Sequence, residues 1–304
     1  MGKIAFVFSG QGAQYSGMGR DLYEGLTESA EVFRLADSFK PGTSALCFSG
    51  SEEELSRTVN TQPCMYAVEL AAVKALETRG FKADMTAGFS LGEIAALAYS
   101  GAVTVEEGFK LVCKRALYMQ EDAELFDSGM AAVLKLEDEQ VEELCKAYEH
   151  VYPVNYNCPG QVSVAGLRDE LEAFYKDVKA AGGRAVPLKV RGGFHSPFMN
   201  RASERFAEAL RDISIKKAEI TLYSNYTGFP YEGDYTELLS KQICSPVRWQ
   251  ALIENMIDCG ADTFVEFGPG KTLCGLIGKI NAGVRTFHVE DMSSLEETAA
   301  GLLC

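Results

Sequence analysis

Histidines and cations are scarce in this chain, and each shortage removes a class of function. Only three histidines, His150, His195 and His288, stand among 304 residues. They form no H-x-x-x-H pair and sit in no Cys/His cluster with ligand spacing, so no zinc or iron site is expected. Lysine and arginine number 29 against 43 aspartates and glutamates, a formal charge of −14. Nucleic acid is therefore not an expected partner, because phosphate binding needs a basic field. Long apolar runs are absent too. The N-terminal run Ile4 to Phe8 is too short for a signal-peptide core or a membrane span, and Phe6 stands where an N-myristoylation motif needs Ser or Thr. The nine cysteines contain no C-x-x-C pair and are odd in number, which fits reduced thiols packed as small hydrophobes. These features predict a cytoplasmic protein with no membrane partner.

What is present is the composition of a folded protein long enough for one large domain or two. Its organising stretch is Gly88-Phe89-Ser90-Leu91-Gly92, a G-x-S-x-G spacing. In a nucleophile elbow a strand ends in a sharp turn, exposes a serine and enters a helix whose free N–H groups face the serine's target. The flanks agree. Lys82 to Ala87 is able to end a strand, and Glu93 to Tyr99 is strong helix-forming sequence with Gly101 as its C-cap.

Along the chain, residues 3 to 8 read as a strand buried on both faces. It opens into Ser9-Gly10-Gln11-Gly12, a turn able to bring backbone close to a ligand. Residues 28 to 39 read as a helix. A second helix starts at Asn60-Thr61-Gln62-Pro63 with Thr61 as cap, and Thr104 to Glu107 is a capping box opening another to about Glu121. On that helix Arg115 falls off the charged stripe of Glu107, Lys110, Lys114 and Glu121, among Gly108, Leu111 and Met119. It is either a snorkelling structural arginine or a buried cation awaiting an anion. Residues 129 to 190 read as strand, helix, strand, strand, helix, strand, the βαββαβ order of a ferredoxin-like unit. Strands at Glu219 to Asn225 and Ala261 to Phe267 then alternate with helices at Leu238 to Cys244 and after Pro246. The prediction is an α/β fold, a hydrolase-like parallel-sheet domain of residues 1–127 and 192–304 with an inserted ferredoxin-like subdomain at 128–191.

A serine needs a base, and histidine titrates nearest neutrality. His150 lies in the insert beside a charged helix and His288 near the C-terminus. His195 lies on the segment Gly192-Gly193-Phe194-His195-Ser196-Pro197 that returns to the elbow domain, and is the expected base. An acid between Ser90 and His195, as an α/β-hydrolase triad requires, is not evident.

In order, Gly10 to Gln14 (GQGAQ), Thr61 to Pro63 (TQP), Gly88 to Glu93 (GFSLGE), the helix with Arg115, Asn155 to Gly166 (NYNCPGQVSVAG), Gly192 to Pro197 (GGFHSP), Gln242 to Trp249 (QICSPVRW) and Glu266 to Leu276 (EFGPGKTLCGL) resemble the malonyl-CoA:acyl carrier protein transacylase family over nearly the whole chain. The resemblance implies that Ser90 is the acylated nucleophile and His195 its base. It implies that the Gln242 backbone carbonyl orients the imidazole in place of a carboxylate, and that the Gln11 and Leu91 amides form the oxyanion hole. Arg115 matches the cation that holds the malonyl carboxylate. The implied reaction is ping-pong transfer from malonyl-CoA to acyl carrier protein, with malonyl-CoA as substrate and no cofactor or metal.

The chain departs from the resemblance at Phe89, where family members usually carry histidine. Phe194 resembles malonyl-selective forms. Lys189, Arg191 and Arg201 are candidates for carrier docking. A discrete polyketide acyltransferase shares every residue named, a serine esterase or thioesterase would have no need of Arg115, and a non-catalytic carrier-binding module would form no serine ester.

Overall fold

Alternation along the N-terminal run decides what it can pack against. In the computed structural model, which describes residues 2–303, the strands in chain order are β1 (Lys3–Phe8), β2 (Met85–Gly88), β3 (Ser128–Leu134), β4 (Val151–Cys158), β5 (Gln161–Leu167), β6 (Arg184–Pro187), β7 (Thr221–Leu222), β8 (Ala261–Phe267) and β9 (Arg285–Val289). Strand β1 sends Ala5 and Val7 to one side, where they pack with Trp249, Ile253 and Phe264. Phe6 and Phe8 go to the other, the Phe6 ring 4.7 Å from that of Phe267 and the Phe8 ring 5.8 Å from that of Tyr99. A strand apolar from Ile4 to Phe8 needs cover on both faces, and a parallel sheet provides it. The five strands β7-β2-β1-β8-β9 form that parallel sheet in this order.

Strands β4-β5-β3-β6 form a second, antiparallel sheet. With helices Asp138–Cys145 and Arg168–Ala180 it makes the expected βαββαβ unit. Its own core gathers Ala131, Val133, Val162, Val164, Leu171 and Phe174 beneath the helices. A register shift between Pro153 and Asn155 breaks the alternation of β4. Such a bulge re-aims the residues after it, and Asn155 and Asn157 line a groove shared with Phe89 of the main domain. Two backbone bonds, Tyr156 N to Val247 O and Val247 N to Val154 O, both 2.9 Å, fasten β4 to the main domain.

Several local expectations are corrected. The helix expected to start at a Thr61 cap spans Thr58–Glu77 with Pro63 inside it. Proline has no N–H, so the Val59 carbonyl loses its partner one turn on. The Lys40 ammonium takes that place at 2.5 Å, and Gln120 Oε1 accepts the Thr58 N–H at 3.0 Å. Both partners come from distant elements, out of reach of a local pattern. The strand expected over 219–225 shortens to Thr221–Leu222, because Ser224 enters a turn, accepting from Gly228 N at 2.8 Å, and Asn225 turns to the elbow. Strand β4 runs on through Asn157 and Cys158. Gly101 follows the C-cap Ser100 of the elbow helix Gly92–Tyr99, with φ of 80°. Short helices at Arg20–Gly25, Thr43–Ser49 and Glu52–Ser56 carry too few turns to declare a period, and β9 and helix Met292–Leu302 complete the C-terminus. The Thr104 capping box forms as expected and opens helix Val105–Ala123.

The elbow is packed so closely that its two glycines have no substitute. A Cβ at Gly88 would lie 1.9 Å from the Gly92 carbonyl carbon, and one at Gly92 would lie 2.4 Å from Phe8 O. Gly92→Ala should therefore lower the urea-unfolding stability by about 3 kcal/mol, the upper range for overpacking. An unchanged midpoint would contradict this close approach.

Candidate active site

Ser90 sits between β2 and the elbow helix with φ of 54°, in the left-handed region that non-glycine residues avoid. Asn225 Oδ1 accepts its N–H at 2.7 Å, and Gln242 Nε2 donates to its carbonyl at 2.7 Å. Asn225 Nδ2 also donates to Gly88 O at 2.6 Å. The strained turn is thus held from both sides by amide side chains from remote parts of the chain.

His195 Nε2 lies 2.7 Å from Ser90 Oγ, and His195 Nδ1 lies 2.8 Å from the Gln242 carbonyl oxygen. A carbonyl only accepts, so Nδ1 carries the proton and Nε2 is left to take one from Ser90. His195 is buried, 4 % exposed. Burial first, and the Arg115 charge second, push its pKa down to about 4, against the Gln242 hydrogen bond that raises it. The imidazole is therefore neutral near pH 7. His150 pairs with Glu170 at 2.8 Å on the insert, and His288 lies beside Glu290 at 3.8 Å, both away from Ser90.

Arg115 is fully buried at 0 % exposure. Its Nη2 donates to Ser90 Oγ at 3.1 Å and Gln242 Oε1 at 2.9 Å, and its Nη1 donates to Gln62 Oε1 at 2.8 Å. Its partners are all neutral, and Nε has none among the described residues. Burial lowers its pKa to about 10, leaving it cationic at neutral pH. A buried cation held by amides rather than by a carboxylate is poised for an anionic ligand.

Gln11 lines the cavity of about 80 Å³ in front of Ser90, with Phe89, Met119, Met130, Phe194 and His195. Leu91 is the N-cap of the elbow helix. Among the described residues the Gln11 and Leu91 backbone N–H groups donate to no other group. An adjoining groove of about 240 Å³ passes Phe89, Asn155, Asn157 and Leu276. The Oδ1 atoms of Asn155 and Asn157 are buried without a partner among the described residues. Beyond Leu188 a cleft of about 670 Å³ opens at Gln14, Tyr15 and Lys189.

A family model described as acyl transferase domain matches residues 5–298. The chain belongs to the acyl transferase domain family. It is 37 % identical to the malonyl CoA-acyl carrier protein transacylase of Bacillus subtilis (strain 168), over 97 % of this chain and 96 % of the relative. The crystal structure of malonyl CoA-acyl carrier protein transacylase from Clostridium perfringens is similar with a TM-score of 0.96 at 40 % identity, over 99 % of this chain and 97 % of that one. A malonyl-transacylase solved in complex with a type II PKS acyl-carrier protein gives a TM-score of 0.94 at 32 % identity, over 98 % and 99 % of the two chains.

In this acyl transferase the Phe89 ring packs edge-on against Trp249, centroids 5.3 Å apart. The Ser90–His195 contact requires no polar group at that position. Sequence reasoning missed the roles of Gln62, Glu93 and Asn225. Gln62 and Glu93 lie inside quoted motifs but carried no visible chemistry, and Asn225 stood at the end of an expected strand. Glu93 is fully buried and takes hydrogen bonds from Tyr231 and from Gln242 Nε2, the latter at 2.9 Å. Burial raises its pKa to about 7 against those bonds.

The low His195 pKa sets a pH dependence. With His195 as the base expected from the sequence, the inactivation rate by a fluorophosphonate reagent should stay flat from about pH 8 to about pH 5 and fall tenfold per unit below about pH 4. A fall centred near the ordinary histidine value of 6.5 would contradict a buried neutral imidazole.

Proposed function

We propose that this chain transfers the malonyl group of malonyl-CoA to the pantetheine thiol of acyl carrier protein through an ester on Ser90. The observation that carries the reading is the buried Arg115 guanidinium, 3.1 Å from Ser90 Oγ and without a carboxylate partner. It gives a carboxylated acyl group an anchor beside the nucleophile, where a simple esterase has no use for one. The names of the relatives support the same substrate and acceptor.

In the first half-reaction Ser90 Oγ forms a bond to the thioester carbon as His195 Nε2 takes its proton. The oxyanion faces the Gln11 and Leu91 amides, donors of a kind worth about 100-fold or more each. Collapse breaks the C–S bond, and His195 returns the proton to the departing CoA sulfur. In the second half the carrier thiol gives its proton to His195 and attacks the ester, and Ser90 leaves with that proton. Gln242 replaces the triad carboxylate by its backbone carbonyl. This orients the ring without adding a negative charge that would compete for Arg115. The unpartnered Asn155 and Asn157 oxygens support the groove as the path of the pantetheine arm, which carries amide N–H donors.

The group is carried by the serine ester and coenzyme A is a substrate, so the reading invokes no resident cofactor or metal. It includes a cytoplasmic location, which the free thiols of the eight described cysteines support; among the described residues no helix is long and apolar enough to cross a membrane. A carrier of fatty acid synthesis is the proposed acceptor. A polyketide carrier presents the same thiol, and the neighbour solved with one favours it as the alternative.

The test mixes the protein with malonyl-CoA and a pantetheinylated carrier and reads the carrier by mass spectrometry. Malonyl-carrier should form, and Arg115→Ala should slow its formation about 100-fold or more, since it removes the buried partner of a carboxylate. Free malonate as the main product, or an unchanged rate in the variant, would overturn the proposal.

A further inference from the structure

Glu93 is the first acidic residue of the elbow helix and lies wholly inside the protein, and its hydrogen bonds go to Tyr231, Gln242 and Asn225 rather than to Ser90 Oγ or Arg115. Its two carboxylate oxygens face donors only. Oε1 accepts from the Tyr231 hydroxyl, Oε2 accepts from Gln242 Nε2 at 2.9 Å, and the Asn225 backbone N–H points between them at 3.3 Å from each. An ionised carboxylate accepts at both oxygens, whereas an amide accepts on one side and donates on the other.

Gln242 is where this matters. Its Nε2 donates to Glu93 and to the Ser90 carbonyl, and its Oε1 accepts from Arg115 Nη2 at 2.9 Å. Turned over, the same amide would set its oxygen against the Glu93 carboxylate and the Ser90 carbonyl, and its NH2 against the guanidinium. Every contact would then be repulsive. The geometry points to Glu93 as a positioning residue that holds the Gln242 amide in one orientation and so fixes Arg115 for recognition of a carboxylated acyl group. The backbone carbonyl of Gln242, which holds His195, is independent of the side-chain orientation. Loss of Glu93 should therefore weaken recognition of the acyl carboxylate more than it weakens the Ser90–His195 chemistry.

This inference rests on the malonyl-transfer reading, and wild-type protein separates the two. If wild type makes no malonyl-carrier, that reading fails; if it does, the outcomes below judge Glu93 alone. The readout is the ratio of kcat/KM for malonyl-CoA to that for acetyl-CoA, measured at pH 8 so that the carboxyl group, with its pKa near 7, is ionised. The ratio is independent of the fraction folded, so a purely structural defect leaves it unchanged. Glu93→Gln should lower it about 10-fold, Gln242→Ala should lower it similarly, and the double variant should fall no further than either single one, as expected for residues in one chain of contacts. A ratio within about twofold of wild type in Glu93→Gln, or effects that multiply in the double variant, would overturn the proposal. If Glu93→Gln does not accumulate as folded protein, Gln242→Ala decides: the same fall supports the relay and an unchanged ratio overturns it.

Discussion

The site depends on one backbone constraint, the left-handed turn at Ser90. A non-glycine residue in that region costs about 1–3 kcal/mol and persists only where its surroundings over-determine it. Here the amide sides of Asn225 and Gln242 take the serine's own N–H and C=O, while Gly88 lets the start of the elbow helix fold back on the end of β2 and Gly92 lets it close on the Phe8 carbonyl of β1. The turn sets Ser90 just past the C-terminal end of β2 and sends the chain into the elbow helix. The parallel sheet, covered on both faces, is the rigid base that makes this possible.

Electrostatics follow from the same arrangement. A buried cation, a buried imidazole and a buried carboxylate lie within one hydrogen-bonded network whose middle member is the neutral Gln242. The backbone carbonyl orients His195, the side-chain oxygen holds Arg115 and the side-chain nitrogen reaches Glu93 and Ser90. With no carboxylate on His195, the ring stays neutral and the Arg115 charge is not cancelled by a protein anion in direct contact. That is the combination needed to receive an acid-bearing acyl group and still have a base for the serine.

Much of this was legible in the residues. The continuous apolar run of β1, the G-x-S-x-G spacing, the capping box at Thr104 and the βαββαβ order are patterns written in neighbouring residues, although only the capping box is closed by local hydrogen bonds alone. Arg115 was legible as an anomaly because a cation broke the helical stripe. Ser90, His195 and Arg115 do come together, with Gln242 and Gln11 beside them. The rest was not legible because it is made across long sequence separations. The Val59 carbonyl freed by Pro63 is satisfied by Lys40, and the start of the same helix is closed by Gln120. Asn225 reaches the elbow only because its strand stops early, and nothing in its neighbours announces that. The Asn155 bulge matters only once the two sheets face each other.

The central claim is that Ser90, activated by a neutral His195 and flanked by Arg115, forms a covalent malonyl ester. Intact-mass analysis after mixing with malonyl-CoA alone, followed by peptide mapping, tests it most directly. The account predicts a single malonyl adduct on the peptide carrying Ser90, absent in Ser90→Ala. No adduct at any time, or one that survives in Ser90→Ala, would contradict it.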